Sequence, residues 1–192
     1  MGQETIYLLL TVALFTAFVL AARAMANERA RAEPPIITLA EANGYSFPTG
    51  SAAVSSDFAS RLRAAVVPRV QEIGADYDAR VIEVIGHTDE VPLSALGSRG
   101  NLDRSLLPWF QGRDAPALLA SDNAGLGMAR AVSVARALRS AGLAAEFTVV
   151  PLSAGPFLRP DDTVTDGARI VDARERRRIE IRVRRRALRS SI

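Results

Sequence analysis

Residues Val81–Asp89 read VIEVIGHTD, and together with Asn123–Ala131, which read NAGLGMARA, they decide the fold. The first stretch places apolar side chains on both sides of an extended chain, which predicts a strand covered on both faces. The second stretch opens a long amphipathic helix. A strand of this kind delivers Thr88 and Asp89 to the edge of an α/β sheet, where such folds usually bind ligands.

The two charged residues of these stretches suit a zwitterionic ligand. The Asp89 carboxylate would bind an ammonium group, and the planar Arg130 guanidinium would bind a carboxylate through two hydrogen bonds. The spacing equally allows Asp89 and Arg130 to pair with each other as a structural salt bridge. The residues alone leave both interpretations open.

Three sequence blocks carry a resemblance to a known family. They are GHTD at Gly86–Asp89, the pattern Asn123-x-x-Leu126-x-x-x-Arg130-Ala131, and RRIEI at Arg177–Ile181. In this order, between Phe47 and Val183, they resemble the peptidoglycan-binding domain of the OmpA/MotB/Pal family.

The resemblance implies a fold and a site. The fold is an α/β, OmpA-like β-α-β-α-β-β sandwich, in which a mixed sheet packs on helices. The matching Asp and Arg of the family grip the diaminopimelate of the peptidoglycan stem peptide, which points to Asp89 and Arg130 here. The implied site also includes ligand-binding Thr88, Asn123, Leu126 and Arg178, with Gly86 and His87 as structural support.

Three features depart from the family pattern. Gly127 stands where a Ser is usual, so a possible capping hydroxyl at the helix start is lost. Arg176 stands where an Asn is common, and the segment between Asp89 and Asn123 is longer than in compact members. We therefore expect the pair Asp89 and Arg130 to be kept and the rim of the pocket to differ.

An apolar run from Ile6 to Ala22, IYLLLTVALFTAFVLAA, precedes the domain. Its length approaches the roughly 20 residues with which a helix crosses a bilayer, so it predicts a single transmembrane anchor. A cleaved signal peptide is the alternative, because Ala24–Ala26 resembles a small-x-small cleavage site. The lack of a basic n-region and the length of the run favour the anchor.

These features divide the chain into four parts. We expect a transmembrane anchor at 1–23, a linker at 24–35 ending in Pro34–Pro35, an OmpA-like domain at 36–186, and a basic tail at 187–192. Within the domain, residues 91–121 form a long insertion rich in Pro and Gly. Loops of this length are usually functional or disordered, and this one could gate the pocket.

Membrane orientation rests on two conflicting arguments. The basic residues that follow the apolar run, Arg23, Arg29 and Arg31, would place the domain in the cytoplasm by the positive-inside rule. A peptidoglycan-binding domain must face the periplasm. We follow the implied ligand and expect a single-pass inner-membrane protein with a periplasmic domain, an inner-membrane partner protein and possible homodimerisation.

Two other functions are compatible with the resemblance. A MotB-like subunit of an ion-driven membrane motor, or of an antiphage defence assembly, would need an intramembrane carboxylate for coupling. The run Ile6–Ala22 contains no ionisable side chain apart from its Tyr, so a partner would have to supply that carboxylate. The other alternative is a dimerising scaffold that no longer binds the wall.

Enzymatic, metal and nucleic-acid functions are disfavoured. The chain has no Cys, and His87 is its only His, so a catalytic triad or a metal site lacks partners. We expect no cofactor and no metal, and His87 to hydrogen-bond the loop. The Arg-rich segment 174–189 could contact phosphates, but no aromatic side chains are interleaved with it, so we expect no nucleic-acid partner.

The remaining stretches predict the other elements. Ser55 or Ser56 caps a helix that Pro68 kinks or divides. Ile36–Leu39 and Gly44–Phe47 can supply a first strand or hairpin. Asp122 or Asn123 caps the helix that ends at Gly142, and strands follow at Phe147–Leu152 and around Ile179–Val183. Trp109 packs against the domain or, alternatively, stacks on sugar or a partner. Asn101–Arg104 only imitates the Asn-x-x-Leu block.

Overall fold

A computed structural model describes residues 2–31, 33–93, 100–167 and 172–186, with side chains given outside 26–31. It separates the chain into two compact units, 1–33 and 34–192. The predicted basic tail at 187–192 lies outside the described residues. The helices and strands are α1 (Gln3–Arg31), β1 (Ile37–Ala40), α2 (Ser56–Arg61), α3 (Val67–Asp76), β2 (Val81–His87), α4 (Leu102–Phe110), α5 (Asn123–Ser140), β3 (Thr148–Gly155) and β4 (Arg178–Arg184).

The first unit is helix α1. Its segment Gln3–Met25 is 23 residues long with a mean hydropathy of 2.3, which by length and composition is enough to cross a membrane. The hydroxyls of Thr11 and Thr16 donate to the carbonyls of Tyr7 and Val12, each at 2.8 Å, within the helix itself. The helix continues to Arg31, so most of the predicted linker is helical, and Pro34–Pro35 follow its end as expected.

The second unit is built on a mixed four-stranded sheet with the strand order β1-β4-β2-β3. Strand β4 runs antiparallel to both β1 and β2, whereas β2 and β3 are parallel. Helix α5 connects the two parallel strands, as a crossover between parallel neighbours requires. The expected OmpA-like topology is confirmed, with α4 as an additional helix inside the insertion.

The hydrophobic core lies between the sheet and the helices. Its buried members come from all four strands and from helices α2, α3 and α5, and they include Phe58, Val70, Ile82, Val134 and Ile181. Both faces of β2 are largely buried, as its pattern of apolar residues predicts. This core fixes how the end of β2 and the start of α5 lie against each other.

Local signals explain where the helices begin and end. Ser55 caps α2 by accepting a hydrogen bond from the Phe58 amide at 3.2 Å, and Asp122 caps α5 by accepting one from the Gly125 amide at 2.7 Å. Gly142, with φ +100°, follows the end of α5. These two helix starts and this helix end were expected from the sequence.

One element differs from the expectation, and a second shows how the helix accommodates Pro68. Gly44–Phe47 is not a strand; it follows a short 3₁₀ turn at Glu41–Asn43. The helix containing Pro68 is not broken but passes through a π-helical turn at Leu62–Val66 before α3 begins. Proline has no amide hydrogen and its ring crowds the preceding turn, which accounts for the widened helix just before it.

The insertion holds helix α4, which contains Pro108 in its last turn. Its apolar face, with Leu102, Leu106 and Trp109, packs on a small cluster formed by Ala52, Leu118, Ala129 and Val132. Trp109 therefore packs against the domain as predicted. The Asn101 side-chain nitrogen donates to the Ala117 carbonyl at 2.9 Å, and its side-chain oxygen accepts from the Leu119 amide at 2.8 Å, which ties the start of α4 to the chain that follows the helix.

Candidate functional site

The end of β2 and the first turns of α5 form one wall each of a cleft. Both elements reach the same edge of the sheet because α5 returns the chain from β2 to its parallel neighbour β3. The cleft has a volume of about 500 Å³. Its lining includes five of the six predicted ligand-binding residues: Thr88, Asp89, Asn123, Leu126 and Arg130.

Arg130 lines this cleft, and its guanidinium has no ion-pair partner in the described part of the chain. Its guanidinium stacks on the Phe47 ring at 4.9 Å from the centroid, and Nε donates to the Ser51 carbonyl at 3.0 Å. Within the described part of the chain, neither Nη group has a hydrogen-bond partner and no carboxylate forms a salt bridge with the side chain. Burial, and then the positive charge of Arg177, lower the pKa of Arg130 to about 10.

Asp89 does not pair with Arg130. Its Oδ2 accepts a hydrogen bond from Arg177 Nη1 at 2.5 Å, and its Oδ1 accepts a longer one from the Val91 amide at 3.3 Å. The two groups predicted to grip a zwitterion therefore lie in one cleft with different partners. The alternative of a structural salt bridge between them is wrong.

Arg177 holds three carboxylates at once. It contacts Glu41 Oε2 at 2.6 Å, the Asp172 carboxylate and Asp89. The hydrogen bond to Glu41 is the largest of the effects that raise the pKa of Arg177 above its usual range, and Arg177 in turn lowers the pKa of Asp172. All four residues line the cleft, which thus contains three carboxylates and, with Arg130, two guanidinium groups.

Thr88 and Asn123 complete the polar lining in different ways. The Thr88 side chain is buried, and its hydroxyl has no hydrogen-bond partner among the described residues. Asn123 donates to the Val91 carbonyl at 2.9 Å and so fastens the chain leaving β2 to the start of α5. The Thr88 hydroxyl is thus buried without a partner in the part of the chain that the structure describes, whereas the Asn123 amide nitrogen has one.

Two glycines let β2 and α5 approach closely behind the cleft. A Cβ atom on Gly86 would lie 2.0 Å from the Gly127 carbonyl oxygen, and one on Gly127 would lie 2.5 Å from Ser153 Oγ and 2.8 Å from the Gly86 oxygen. Gly86 therefore supports the site through its missing side chain. Gly127 lies inside α5, whose cap is Asp122, so the departure from Ser affects this contact and not the capping of the helix.

Arg178 lies outside the cleft. It is 5% exposed, and its guanidinium pairs with Glu180 at 2.8 Å. His87 Nε2 lies 3.3 Å from the same carboxylate, at an angle that makes no hydrogen bond, so the expected hydrogen bond from His87 to the loop is not found. Burial favours the neutral form of Glu180, but His87, Arg182 and Arg178 outweigh it and hold its pKa well below the usual range.

The sequence reasoning missed Glu41, Asp172 and Arg177. Arg177 belongs to the RRIEI block, but the resemblance points to its neighbour Arg178, and the alternation of a strand does not say which face meets the ligand. Arg176 is not part of the cleft lining either; it pairs with Glu90 at 2.9 Å. Most of the described Arg residues in the basic segment are thus neutralised by carboxylates.

Comparison with known proteins rests on structure alone, since no family model and no curated protein matches the sequence. A crystal structure of the periplasmic domain of MotB (residues 64–256) superposes on 81% of this chain with a TM-score of 0.51 and 18% identity. The domain has an OmpA-like fold of the MotB type. This chain spans 65% of that structure's length.

A second OmpA-like neighbour is the periplasmic domain of Helicobacter pylori MotB (residues 78–256). It has a TM-score of 0.50 and 20% identity over 81% of this chain and 78% of its own. At this identity the likeness establishes the fold, and the function has to be argued from the cleft.

Proposed function

We propose that the OmpA-like domain binds peptidoglycan non-covalently, with the diaminopimelate end of a stem peptide in the cleft. The observation that carries this proposal is Arg130, a buried guanidinium without a carboxylate partner that shares the cleft with Asp89. A buried cation is costly unless it is paired, so the cleft is suited to a ligand that brings an anion.

The ligand's carboxylate would bind the two Nη groups of Arg130. Nε already donates to the Ser51 carbonyl, and the stacking of the guanidinium on Phe47 fixes the plane of the fork. A planar, fixed fork matches a carboxylate through two parallel hydrogen bonds. This geometry suits an anion that presents two oxygen atoms side by side, as a carboxylate does.

The ligand's ammonium group would bind Asp89. A carboxylate has about four acceptor positions, and Asp89 uses two of them for Arg177 and the Val91 amide. The three carboxylates of the cleft exceed its two guanidinium groups by one negative charge. A cation can therefore be accepted while Arg177 keeps its bonds to Glu41 and Asp172.

The N-terminal helix completes the proposal as a membrane anchor. Its apolar segment is long enough to span the hydrocarbon core once. We infer a single-pass inner-membrane protein whose domain faces the periplasm and ties a partner complex to the wall, with homodimerisation as a further possibility. Asp89 and Arg130 are binding groups with no nucleophile beside them among the described residues, so we do not propose an enzymatic function.

Co-sedimentation of the detergent-solubilised full chain with purified sacculi tests this function. We expect the wild type to sediment, Asp89→Ala and Arg130→Ala to stay in the supernatant, and Arg130→Lys to bind weakly because Lys offers no planar fork. Circular dichroism checks that each variant is folded. Asp103→Ala and Arg104→Ala, exposed on α4, are the matched controls and should sediment like the wild type.

The same assay separates the alternatives. Sacculi whose stem peptides carry Lys in place of diaminopimelate lack the ligand's zwitterionic end and should bind less. A wild-type chain that never sediments would favour the scaffold without wall binding. A folded Asp89→Ala/Arg130→Ala double variant that still sediments would refute the proposed site.

A further inference from the structure

A second depression lies on the helical side of the domain and shares no lining residue with the cleft. It is an open groove of about 260 Å³ beside α2, α4 and α5. Five alanines contribute to its lining: Ala52, Ala53, Ala59, Ala137 and Ala141. Small side chains of this kind leave room for the backbone and apolar side chains of another element to approach closely.

Positive charge borders this alanine groove. Arg63 comes from the π-helical turn and Arg136 from α5, and no Asp or Glu belongs to the lining. Neither guanidinium forms a salt bridge or a hydrogen bond with any described residue; Arg136 stacks on the Trp109 ring at 4.5 Å from the centroid. Stacking leaves the charge of a guanidinium in place, so both cations are uncompensated.

The Trp109 ring forms part of the groove lining. Its Nε1 atom is buried and has no partner in the described part of the chain, although a buried indole N–H usually finds one. Trp109 belongs to α4, the helix of the insertion, so the groove depends on the segment that makes this chain longer than compact relatives. Small alanines and two free cations therefore meet on one surface.

We propose that the alanine groove binds an acidic amphipathic helix of a partner protein. The apolar face of that helix would pack on the alanines, as in other helix-in-groove complexes, and its carboxylates would meet Arg63 and Arg136. The groove is smaller and more open than the roughly 300–1,000 Å³ pockets that enclose small molecules. It therefore suits anchoring side chains of an apposed segment. This inference does not depend on wall binding by the cleft.

The single Trp of the chain makes the test direct, because its emission reports on the groove. The probe is an acetylated, amidated helical peptide of Glu, Ala and Leu, with Leu at positions i, i+3, i+4 and i+7. The control probe has Gln in place of every Glu. Each is titrated into the full chain in dodecylmaltoside micelles, with empty micelles as the blank and anisotropy of a labelled peptide as the second readout.

We expect a saturable change in Trp109 emission with the acidic peptide. The Gln peptide, and the variants Arg63→Gln and Arg136→Gln, should each bind about tenfold more weakly, which corresponds to ~1.4 kcal/mol. Arg104→Gln removes one positive charge from α4 outside the groove and should bind like the wild type. Asp89→Ala, which alters the cleft, should also bind like the wild type.

Three results would overturn the proposal. Equal binding of the Gln peptide would show that charge plays no part in recognition. Equal weakening by Arg104→Gln would show non-specific attraction of an acidic peptide to a basic protein. A saturable response to dihexanoyl phosphatidylglycerol, with none to the acidic peptide, would assign the groove to an anionic lipid.

Discussion

Replacing Gly86 by Ala tests whether the close contact between β2 and α5 builds the cleft. The new Cβ would lie 2.0 Å from the Gly127 carbonyl oxygen and 2.7 Å from its carbonyl carbon. Restoring an ordinary contact at 3.4 Å needs a shift of about 1.4 Å between two backbones that the core holds on both sides. Neither backbone can give way as the end of a flexible side chain can.

The expected cost follows from two opposing effects. Overpacking of a well-packed interior costs about 1–3 kcal/mol, and the lower backbone entropy of the unfolded Ala chain returns about 0.4–1 kcal/mol. We expect Gly86→Ala to lower the free energy of unfolding by about 1.3 kcal/mol, the difference between the middles of these two ranges. Asp89 lies just beyond the end of β2, three residues after Gly86, and Arg130 lies three residues after Gly127 on α5. The shift should therefore also separate the two binding groups and weaken sacculus binding.

Urea denaturation of the full chain in detergent, followed by circular dichroism, measures this change. Gly125→Ala is the matched control, since it makes the same substitution in α5 but meets the flexible end of Leu102, at 2.9 Å. Its free energy of unfolding should stay within about 0.5 kcal/mol of wild type or rise by up to about 1 kcal/mol, because Ala favours a helix over Gly. A Gly86→Ala protein equally close to wild type would refute the reasoning that this contact is tight.

Four further predictions concern charged groups. The depressed pKa of Glu180 stabilises the fold at pH values above its unfolded pKa, near 4.5, and this stabilisation should be lost as pH falls below that value. A pH series of urea midpoints should show the loss of stability, and Glu180→Gln should make the midpoint depend less on acid pH. The same variant should cost about 3–5 kcal/mol at neutral pH, because it leaves the buried Arg178 without its anion; an unchanged midpoint would contradict that role. Arg177→Gln should let the pKa of Asp172 rise towards its usual range, since the hydrogen bond from Arg177 is the largest of the effects that lower it. Carboxyl-carbon NMR titration measures this pKa, and an unchanged value would contradict the contact. Asp122→Ala should destabilise α5 by about 1 kcal/mol through the lost cap, measured by the urea midpoint, and Asp122→Asn should preserve most of it.

The insertion is the part of the fold that the sequence pattern predicts least well. Leu102, Leu106 and Trp109 have helical spacing, but Pro108 lies among them and argues against a helix. The structure accommodates Pro108 in the last turn of α4, because the apolar face of that helix is buried on Ala129 and Val132. Packing between distant segments, which no local pattern contains, outweighed the local preference.

By itself, the sequence determined β2, α5 and the residues they present, because apolar periodicity and capping residues act over a few neighbouring positions. It was enough to place Asp89 and Arg130 at one edge of a sheet. Only the tertiary structure decided that Asp89 pairs with Arg177, that Glu41 and Asp172 join them, and that Arg130 is left unpaired. These contacts connect the chain after β1, the chain after β2 and the chain before β4. Which side chains meet there depends on strand register and side-chain direction, which are properties of the packed sheet.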